Sequence, residues 1–267
     1  MMKITVTGSE GRLGSWLVNK WGLIPLDCDI TKPEEVKHII KSIAPDVIIH
    51  TAAITNVAYC EEHPKEAFLA NVEGIKNIID NFTKGLLIYI STVHVFDGNA
   101  AFSYSEKAKP NPINKYGWTK WMGEEMAKFG THQTIVVRTS KLFDLAYLAS
   151  GIKLLQDGVD QDYPTFMTRS FIYIPHFIYG LIKLIELHET APNTINIAGS
   201  LTPSYYGFWN SVAETLGYDR SYILPRTIDN GDVARPKRGG LNISLAQSMG
   251  LPIYNARDGL NAIKEIM

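Results

Sequence analysis

A glycine-rich turn close to the start of the chain constrains the fold more than any other feature. The stretch ITVTGSEGRLGSWLV places Gly8, Gly11 and Gly14 between a β-branched apolar run and a helical pattern. One glycine makes the turn, one lets the backbone approach a pyrophosphate, and one lets the helix pack on the strand. The helix N-terminus offers N–H groups and a positive dipole end to an anion. The motif predicts a dinucleotide-binding unit, with Arg12 and Leu13 in the same phosphate loop.

Short apolar runs alternate with helical patterns along the first half of the chain. Four runs are β-branched and continuously apolar, as expected of strands buried on both faces: 3–7, 46–53, 86–92 and 134–140. Amphipathic helical patterns lie between them, at 32–43, 64–82 and after Asn114. This alternation predicts an α/β fold with a Rossmann-type doubly wound parallel sheet.

The alternation loosens after Thr139. Residues 171–189 form a helix-like apolar segment, and 204–217 is typical of a helix that ends at its last glycine. The C-terminal remainder is rich in Pro, Gly and Arg, and long irregular segments of this kind tend to carry binding function.

These patterns predict two parts. We expect an NAD(P)-binding Rossmann domain over 1–140 and a smaller substrate-binding part over 141–267. The run NTINIAGS contains one more strand, near 193–198, which we expect to return to the main sheet.

The composition narrows the range of partners. The 267 residues carry a formal net charge of -1, which argues against nucleic acid or an anionic membrane as the main partner. No apolar stretch approaches the roughly 20 residues that span a bilayer. Cys28 and Cys60 have no metal-type spacing and give no sign of a disulfide framework, and no metal site is expected. We expect a soluble cytoplasmic protein.

The segment NPINKYGWTKWMGEE places Tyr116 and Lys120 four residues apart at the start of a helix. The two side chains share a helix face, so the lysine charge, with that of an oxidised cofactor, would favour the phenolate and lower the tyrosine pKa from about 10. Thr92 ends the preceding strand, at the edge where parallel sheets bind ligands. We expect Tyr116 to be an acid–base group, Lys120 to assist it, and Thr92 to hold a carbonyl oxygen.

A second Tyr-x-x-x-Lys spacing joins Tyr179 and Lys183. No hydroxyl-bearing strand lies at suitable spacing upstream of it. We therefore predict that Tyr179 is a core aromatic and that Lys183 is a surface residue whose stem lies along apolar surface.

The choice of dinucleotide stays open. An acid at the end of the second strand, Asp27 or Asp29, favours the 2′-hydroxyl of NAD and repels the extra phosphate of NADP. Arg12, in the glycine loop, has donors that can reach a 2′-phosphate. The two acids favour NAD, whereas Arg12 favours NADP.

Together, the glycine loop, Thr92 and the Tyr116/Lys120 pair resemble an extended short-chain dehydrogenase/reductase. Longer blocks are similar to those of its dTDP-4-dehydrorhamnose reductase (RmlD-like) branch: LDCDITKPEEV, PDVIIHTAAITNVAYCEEHPKEAFLANVEG, ISTVHVFDG, NPINKYGWTKWMGEE and VVRTS. Weaker similarity continues through DQDYPT, NTINIAG and ARPKRGGLNIS. The resemblance therefore covers nearly the whole chain.

The resemblance implies NAD(P)H-dependent reduction of a nucleotide-linked 4-keto sugar, with Tyr116 as the general acid. It implies that Lys120 is the partner of Tyr116 and a ribose ligand, and that Thr92 holds the carbonyl. The cofactor, NADP(H) or NAD(H), would be bound by Gly8, Gly11, Arg12, Leu13, Gly14, Asp29, Ile30, Ala52, Ala53, Ile54, Tyr116 and Lys120.

Departures from this branch fall at the substrate end. The branch usually has STDYVF where residues 91–96 are STVHVF, an aromatic where Lys141 stands, and TxVDK where residues 55–59 are TNVAY. These changes leave the sugar and the nucleotide open. The expected substrate contacts are Thr55, Val57, His94, Val95, Phe96, Lys141 and Arg235.

Two further functions stay open. One is a nucleotide-sugar epimerase on the same scaffold. The other is a non-catalytic NADP-binding regulatory subunit that resembles the methionine adenosyltransferase beta subunit, although the intact Thr92, Tyr116 and Lys120 set favours catalysis. The expected partner is a nucleotide-sugar substrate, and a homodimer is an open possibility for the assembly.

Overall fold

A six-stranded parallel sheet forms the centre of the first of two units. The structure, a computed structural model, describes residues 2–130, 133–229, 231 and 233–267. The strand order is β10-β5-β4-β3-β1-β2, with β1 (Ile4–Thr7), β2 (Ile24–Pro25), β3 (Val47–His50), β4 (Leu86–Thr92), β5 (Gln133–Thr139) and β10 (Thr194–Asn196). The order reverses between β1 and β3, where open α/β sheets bind ligands. The predicted Rossmann-type sheet is confirmed.

Helices join the strands of this unit. They are α1 (Arg12–Asn19), α2 (Pro33–Ile43), α3 (Val57–Glu62), α4 (Pro64–Phe68), α5 (Gly74–Asn81) and α6 (Lys115–Ala127). A π-helical turn, Leu69–Glu73, joins α4 to α5, and a 3₁₀ turn, Val93–Val95, follows β4. Apolar side chains of α2, α5 and the strands fill the core, among them Val36, Ile75 and Leu87. The helices thus leave the carboxyl ends of the strands to the loops that carry the expected site.

The second unit has small two-stranded sheets and an aromatic core. Its elements are β6 (Lys141–Phe143), α7 (Leu145–Gln156), β7 (Gln161–Pro164), β8 (Thr168–Arg169), β9 (Phe171–Tyr173), α8 (Ile174–Glu186), α9 (Tyr205–Leu216), β11 (Ile223–Arg226), β12 (Arg238–Gly239), α10 (Ser244–Ser248) and α11 (Ala256–Lys264). Strand β6 pairs with β9, β7 with β11 and β8 with β12. The rings of Phe171 and Phe208 stack at 3.9 Å in this core.

The chain passes between the units several times. The first unit comprises residues 1–96, 109–138 and 187–195, and the second comprises 97–108, 139–186 and 196–267. The division expected at residue 140 lies beside one of these crossings. Within the described ranges, no helix has the length and apolar character needed to cross a membrane.

The segment 171–189 differs from its prediction. Its first three residues form β9, because Phe-Ile-Tyr suits a buried strand, and helix α8 begins only at Ile174. The prediction that Tyr179 is a core residue was wrong: its side chain is 53% exposed. The buried stripe of α8 is formed instead by neighbours such as Phe177, Ile178 and Leu181.

Candidate active site

The glycine loop brings the backbone of β1 and the start of α1 together. Gly8 has a φ of +67°, which side chains disfavour, and a Cβ on Gly14 would overlap the carbonyl oxygen of Gly8. The N–H of Gly11 donates to that carbonyl at 3.0 Å. Helix α1 begins at Arg12, followed by Leu13, and its first turn holds no acid. The N-terminal N–H groups of α1 can therefore receive an anion.

Two carboxylates lie near this loop. Asp27 accepts a hydrogen bond of 2.6 Å from the hydroxyl of Ser9 in the loop. Asp29 accepts from the hydroxyl of Thr31 at 2.7 Å, and this bond, with the N–H of Thr31, lowers the Asp29 pKa. Ile30 is buried against α5. The structure therefore keeps both acids at the end of β2, the position that bears on the cofactor ribose.

The segment Ala52–Ile54 follows β3 and lies against the glycine loop. A Cβ on Gly8 would come within 2.7 Å of the Cα of Ala52. The N–H of Ala52 donates to the hydroxyl of Thr7 at 3.2 Å. The loops after β1 and β3 are thus in contact at the reversal of the strand order, as the sequence predicts for a dinucleotide site.

Asn71 fixes the end of this segment and was not found by sequence reasoning. Its side-chain oxygen accepts from the N–H of Ile54 at 2.8 Å, and its amide donates to the carbonyl of Ile54 at 3.0 Å and to Thr119 at 2.9 Å. Asn71 lies in the π-helical turn, a feature often found at functional sites. A polar residue in an apolar helical pattern was the only sequence signal.

Tyr116 and Thr92 are brought together. Tyr116 lies in the first turn of α6, and its phenol is buried and hydrogen-bonded to the Thr92 side chain. Burial raises the pKa of Tyr116 to about 12, while the Thr92 hydrogen bond lowers it and the Cys60 thiol acts in the raising direction. The lowered pKa expected from Lys120 is not found, because burial prevails. Tyr116 is therefore protonated at neutral pH.

Lys120 lies one turn further along the buried face of α6. Its Nζ is 4.1 Å from the ring centroid of Tyr89, a cation–π contact. Burial lowers the pKa of Lys120 to about 7, and the Glu124 carboxylate opposes this shift. The shift of the Tyr116 pKa comes from burial, the Thr92 hydrogen bond and Cys60. The ring of His50 stacks on the same Tyr89 ring, with the two centroids 5.7 Å apart.

An ion pair inside the unit supports this helix. Arg138 donates to the two carboxylate oxygens of Glu124 at 2.9 and 2.6 Å, and Ser91 donates to the same carboxylate at 2.5 Å. Both charged side chains are buried. Sequence reasoning missed this pair, because a Glu on a helix and an Arg on a strand are usually solvated.

His94 lies beside Tyr116. Its ring packs edge-on against the Tyr116 ring at 5.3 Å, and the main-chain N–H of His94 donates to the Thr92 hydroxyl at 3.2 Å. The amide Nδ2 of Asn114 lies 3.3 Å from His94 Nδ1. The Oδ1 of Asn114 caps α6 by accepting from the Gly117 N–H at 2.7 Å. His94 therefore belongs to the same cluster as the expected catalytic residues.

The other expected substrate residues of the first unit differ in exposure. Thr55 is exposed, and Val57 is a buried residue that begins α3. Val95 and Phe96 are fully buried, and the Phe96 ring lies 5.1 Å from the guanidinium of Arg138. The side chains of Val95 and Phe96 thus serve the core, and any substrate contact there falls to the main chain.

The remaining expected residues, Lys141 and Arg235, belong to the second unit. Lys141 places its Nζ 4.5 Å from the ring centroid of Tyr147. Electrostatic interactions link both Tyr147 and Arg235 to Arg169, which sequence reasoning missed. Arg235 also lines a cavity of about 150 Å³ with Arg226, whose Nε is buried without a partner among the described residues. Cationic groups therefore gather within this unit.

Arg169 is the most unusual of these groups. It is 2% exposed and donates to the main-chain carbonyls of Thr168 and Lys237. Across the described ranges it forms no ion pair with a carboxylate, and burial together with Arg235 lowers its pKa. Gly239 packs against its guanidinium, where a Cβ would come within 2.8 Å. A buried cation without an acid partner suits an anionic ligand.

In the described part of the chain, no cluster of metal-ligating side chains is found.

Comparison with known proteins agrees with this geometry. The family model "RmlD substrate binding domain" matches residues 2–265. The crystal structure of dTDP-4-dehydrorhamnose reductase from Bacillus anthracis, in complex with NADP, superimposes with a TM-score of 0.92 at 25% identity and covers 100% of both chains. The spore coat polysaccharide biosynthesis protein SpsK of Bacillus subtilis is 25% identical over 97% of this chain and 96% of that protein. Methionine adenosyltransferase 2 subunit beta of Danio rerio is 33% identical over 97% of this chain and 90% of that protein.

Proposed function

Because the chain belongs to the RmlD substrate-binding domain family, we propose that it is an NAD(P)H-dependent reductase of a nucleotide-linked 4-keto sugar, similar to dTDP-4-dehydrorhamnose reductase. One observation carries the proposal. The phenol of Tyr116 is buried, protonated and hydrogen-bonded to Thr92 at the carboxyl end of β4. A protonated phenol at this edge of a parallel sheet is a proton donor where ligands bind.

When bound, the reduced nicotinamide would supply the hydride for the keto carbon. Tyr116 donates its proton to the carbonyl oxygen, so that the ketone becomes an alcohol. The Thr92 hydroxyl stabilises the phenolate that remains, since its hydrogen bond lowers the Tyr116 pKa. Lys120, with a pKa of about 7, takes up a proton near neutral pH and adds a stabilising charge.

The residues present fit a dinucleotide. The loop at Gly8, Gly11 and Gly14 leaves backbone space for a pyrophosphate, and the N-terminal N–H groups of α1 face the same loop. We assign the pyrophosphate and nicotinamide side to the segment Ala52–Ile54 and the adenosine side to Asp29 and Ile30. The KM values for NADH and NADPH test the choice of cofactor. A lower KM for NADH indicates that Asp27 and Asp29 decide it, and a lower KM for NADPH indicates that Arg12 does.

We assign binding of the diphosphate of the nucleotide sugar to the second unit. Arg169 is buried without a carboxylate in the described ranges, and the Arg235 charge acts on it. A diphosphate supplies the negative charge that such a cluster needs. This supports a nucleotide-linked sugar rather than a free sugar as the substrate, with Lys141 as a further cation.

A second candidate function is the regulatory one. The 33% identity to methionine adenosyltransferase 2 subunit beta of Danio rerio favours it. A non-catalytic subunit does not require a buried, protonated phenol at the ligand edge, and Tyr116 supplies one. A nucleotide-sugar epimerase on the same scaffold is the remaining alternative, and it would return the cofactor to its starting oxidation state within each turnover.

We also propose a cytoplasmic homodimer. The free thiols of Cys28 and Cys60 suit a reducing compartment, and burial raises the pKa of each to about 11. Helix α6 exposes 44% of Trp118 and 40% of Met122, an apolar surface that a second copy can cover. Light scattering of wild type and Trp118→Glu tests the dimer, since a monomeric wild type would refute it.

The reductase is tested by steady-state oxidation of NADPH and NADH with a panel of nucleotide-linked keto sugars. Net oxidation with a 4-keto sugar is expected. An epimerase would interconvert sugars without net cofactor oxidation. A protein that oxidises no cofactor with any sugar, and that binds methionine adenosyltransferase in a pull-down, would contradict the proposal in favour of the regulatory function.

A further inference from the structure

The first turn of α6 carries the proposed proton donor at its second position. Asn114 is the N-cap, and Lys115, Tyr116 and Gly117 follow it. The N–H groups of a first helical turn have no acceptor within the helix. The Oδ1 of Asn114 accepts from the Gly117 N–H at 2.7 Å, which satisfies the third position. The N–H of Lys115, at the first position, needs an acceptor from another element.

Glu61, a half-buried residue of α3, supplies that acceptor. Its Oε1 accepts from the main-chain N–H of Lys115 at 2.6 Å, across 54 residues of the sequence. The first turn of α6 contains no acid of its own, and it begins with a lysine, whose charge is unfavourable at the positive end of a helix dipole. Glu61 therefore provides both the acceptor and the negative charge that this helix end lacks.

Helix α3 is also tied to the cofactor side of the site. The residue before Glu61 is Cys60, which is fully buried and whose thiol donates to the carbonyl oxygen of Ile54 at 3.6 Å. Ile54 is held in turn by two hydrogen bonds with the side chain of Asn71. The same Cys60 thiol acts electrostatically on the phenol of Tyr116. Helix α3 thus contacts both the segment assigned to the nicotinamide and the helix of the proton donor.

The opposite side of the first turn is fixed by steric contact. A Cβ on Gly117 would overlap the carbonyl oxygen of His94, so the backbone of α6 lies directly against the 3₁₀ turn that follows β4. On the α3 side, the main chain of the turn is held by the hydrogen bond between Glu61 and Lys115. Loss of this bond should therefore let the turn move relative to α3.

We propose that Glu61 is a positioning residue that holds the first turn of α6, and with it the phenol of Tyr116, in register with the segment Ala52–Ile54. The inference rests on the proposed function and deepens it. Glu61 acts through the N–H of Lys115 and touches no reacting atom. The hydride and the proton must reach the same carbonyl group, so a displaced phenol slows the chemical step more than it weakens binding.

The first test measures reduction of dTDP-4-dehydrorhamnose by NADPH. In Glu61→Ala we expect kcat to fall about ten-fold or more, while KM for the sugar and Kd for NADPH stay within a few-fold. Glu61→Gln keeps a side-chain oxygen that can accept from Lys115, and it should recover most of the lost kcat. The exposed neighbour Glu62 provides the control Glu62→Ala. An unchanged kcat in Glu61→Ala, or an equally low kcat in Glu61→Gln, would overturn the proposal.

A matched control separates positioning from the stability of α6. Lys128→Ala removes the ion pair between Lys128 and Glu125, 2.7 Å long, at the opposite end of the same helix. It should leave kcat at the wild-type value, and urea denaturation measures what each variant loses in stability. If Lys128→Ala lowers kcat as much as Glu61→Ala does, stability of the helix explains the effect and the proposal is refuted.

Carbon-13 spectra test the inference without turnover. The Cζ resonance of Tyr116, assigned with Tyr116→Phe, reports the hydrogen bond between its phenol and Thr92. We expect this resonance to move in Glu61→Ala and to keep its wild-type position in Glu61→Gln and in Lys128→Ala. This result would support the inference even if the protein reduced no sugar. A Tyr116 resonance that does not move in Glu61→Ala would refute the inference even in an active reductase.

Discussion

The guanidinium of Arg138 donates hydrogen bonds to both carboxylate oxygens of Glu124, at 2.9 and 2.6 Å, and both side chains are buried. The Ser91 hydroxyl donates to the same carboxylate. Glu124 is also the charge that opposes the lowered pKa of Lys120. The same carboxylate therefore contributes both to the stability of α6 and to the pKa of Lys120, which lies beside the proposed proton donor.

Glu124→Gln should lower the free energy of unfolding by about 3–5 kcal/mol, because it removes the negative charge that neutralises the buried guanidinium of Arg138. Urea denaturation at pH 7 measures this. The exposed pair of Lys153 and Asp157 gives the control, and Asp157→Asn should have a several-fold smaller effect. Equal losses in the two variants would show that the buried pair has no special role.

Lys120→Met should change how stability depends on pH. The pKa of the lysine is about 7 in the folded chain and takes its ordinary value of 10.5 in the unfolded chain, so between these values the unfolded chain holds a proton that the folded chain lacks. Wild-type stability should therefore rise, relative to Lys120→Met, from about pH 7 to pH 10, and burial of the lysine is most costly below pH 7. Denaturant titrations across this range measure the difference, and a flat difference would contradict the lowered pKa.

Gly11→Val should abolish cofactor binding while the protein remains folded. A Cβ at Gly11 meets only the Gly8 carbonyl oxygen, at 3.2 Å, but the valine fills the space a pyrophosphate needs. Fluorescence titration with NADPH measures the loss. Gly14→Ala is the contrasting variant, since its methyl group overlaps the Gly8 carbonyl and should destabilise the fold itself. Unchanged NADPH affinity in Gly11→Val would remove this loop from the cofactor site.

Arg169→Met should weaken binding of the nucleotide sugar about ten-fold or more without loss of stability. Arg169 is a buried cation without a carboxylate partner among the described residues, so its removal relieves a desolvation cost. The diphosphate, by contrast, loses a charged hydrogen-bond donor. Calorimetry with dTDP and thermal denaturation give the two readouts. Arg257, exposed and paired with Glu214, provides the surface control Arg257→Met. A destabilised Arg169→Met with normal dTDP affinity would make Arg169 a structural residue.

The sequence predicted those parts of the fold that depend on local pattern. The runs that became β1, β3, β4 and β5 were recognisable because strands buried on both faces are continuously apolar. The glycine loop was recognisable because its spacing follows from backbone geometry at a phosphate.

Features that depend on packing between distant segments were not predictable. Asn71 meets Ile54 across 17 residues, and Arg138 meets Glu124 across 14. The direction of the Tyr116 pKa shift was also wrong, because a four-residue spacing gives the position of Lys120 and says nothing of how deeply both groups are buried. Tyr179 was placed in the core although α8 turns it to solvent.

The role of Tyr116 as general acid is tested by comparing Tyr116→Phe with wild type in the reduction of dTDP-4-dehydrorhamnose, with the exposed Tyr179→Phe as the control. We expect Tyr116→Phe to lose turnover by about a hundred-fold or more and to keep NADPH affinity within a few-fold, because the phenolic proton serves only the chemical step. Tyr179→Phe should turn over like wild type. Full activity in Tyr116→Phe would remove the phenol from the reaction and contradict its role as general acid.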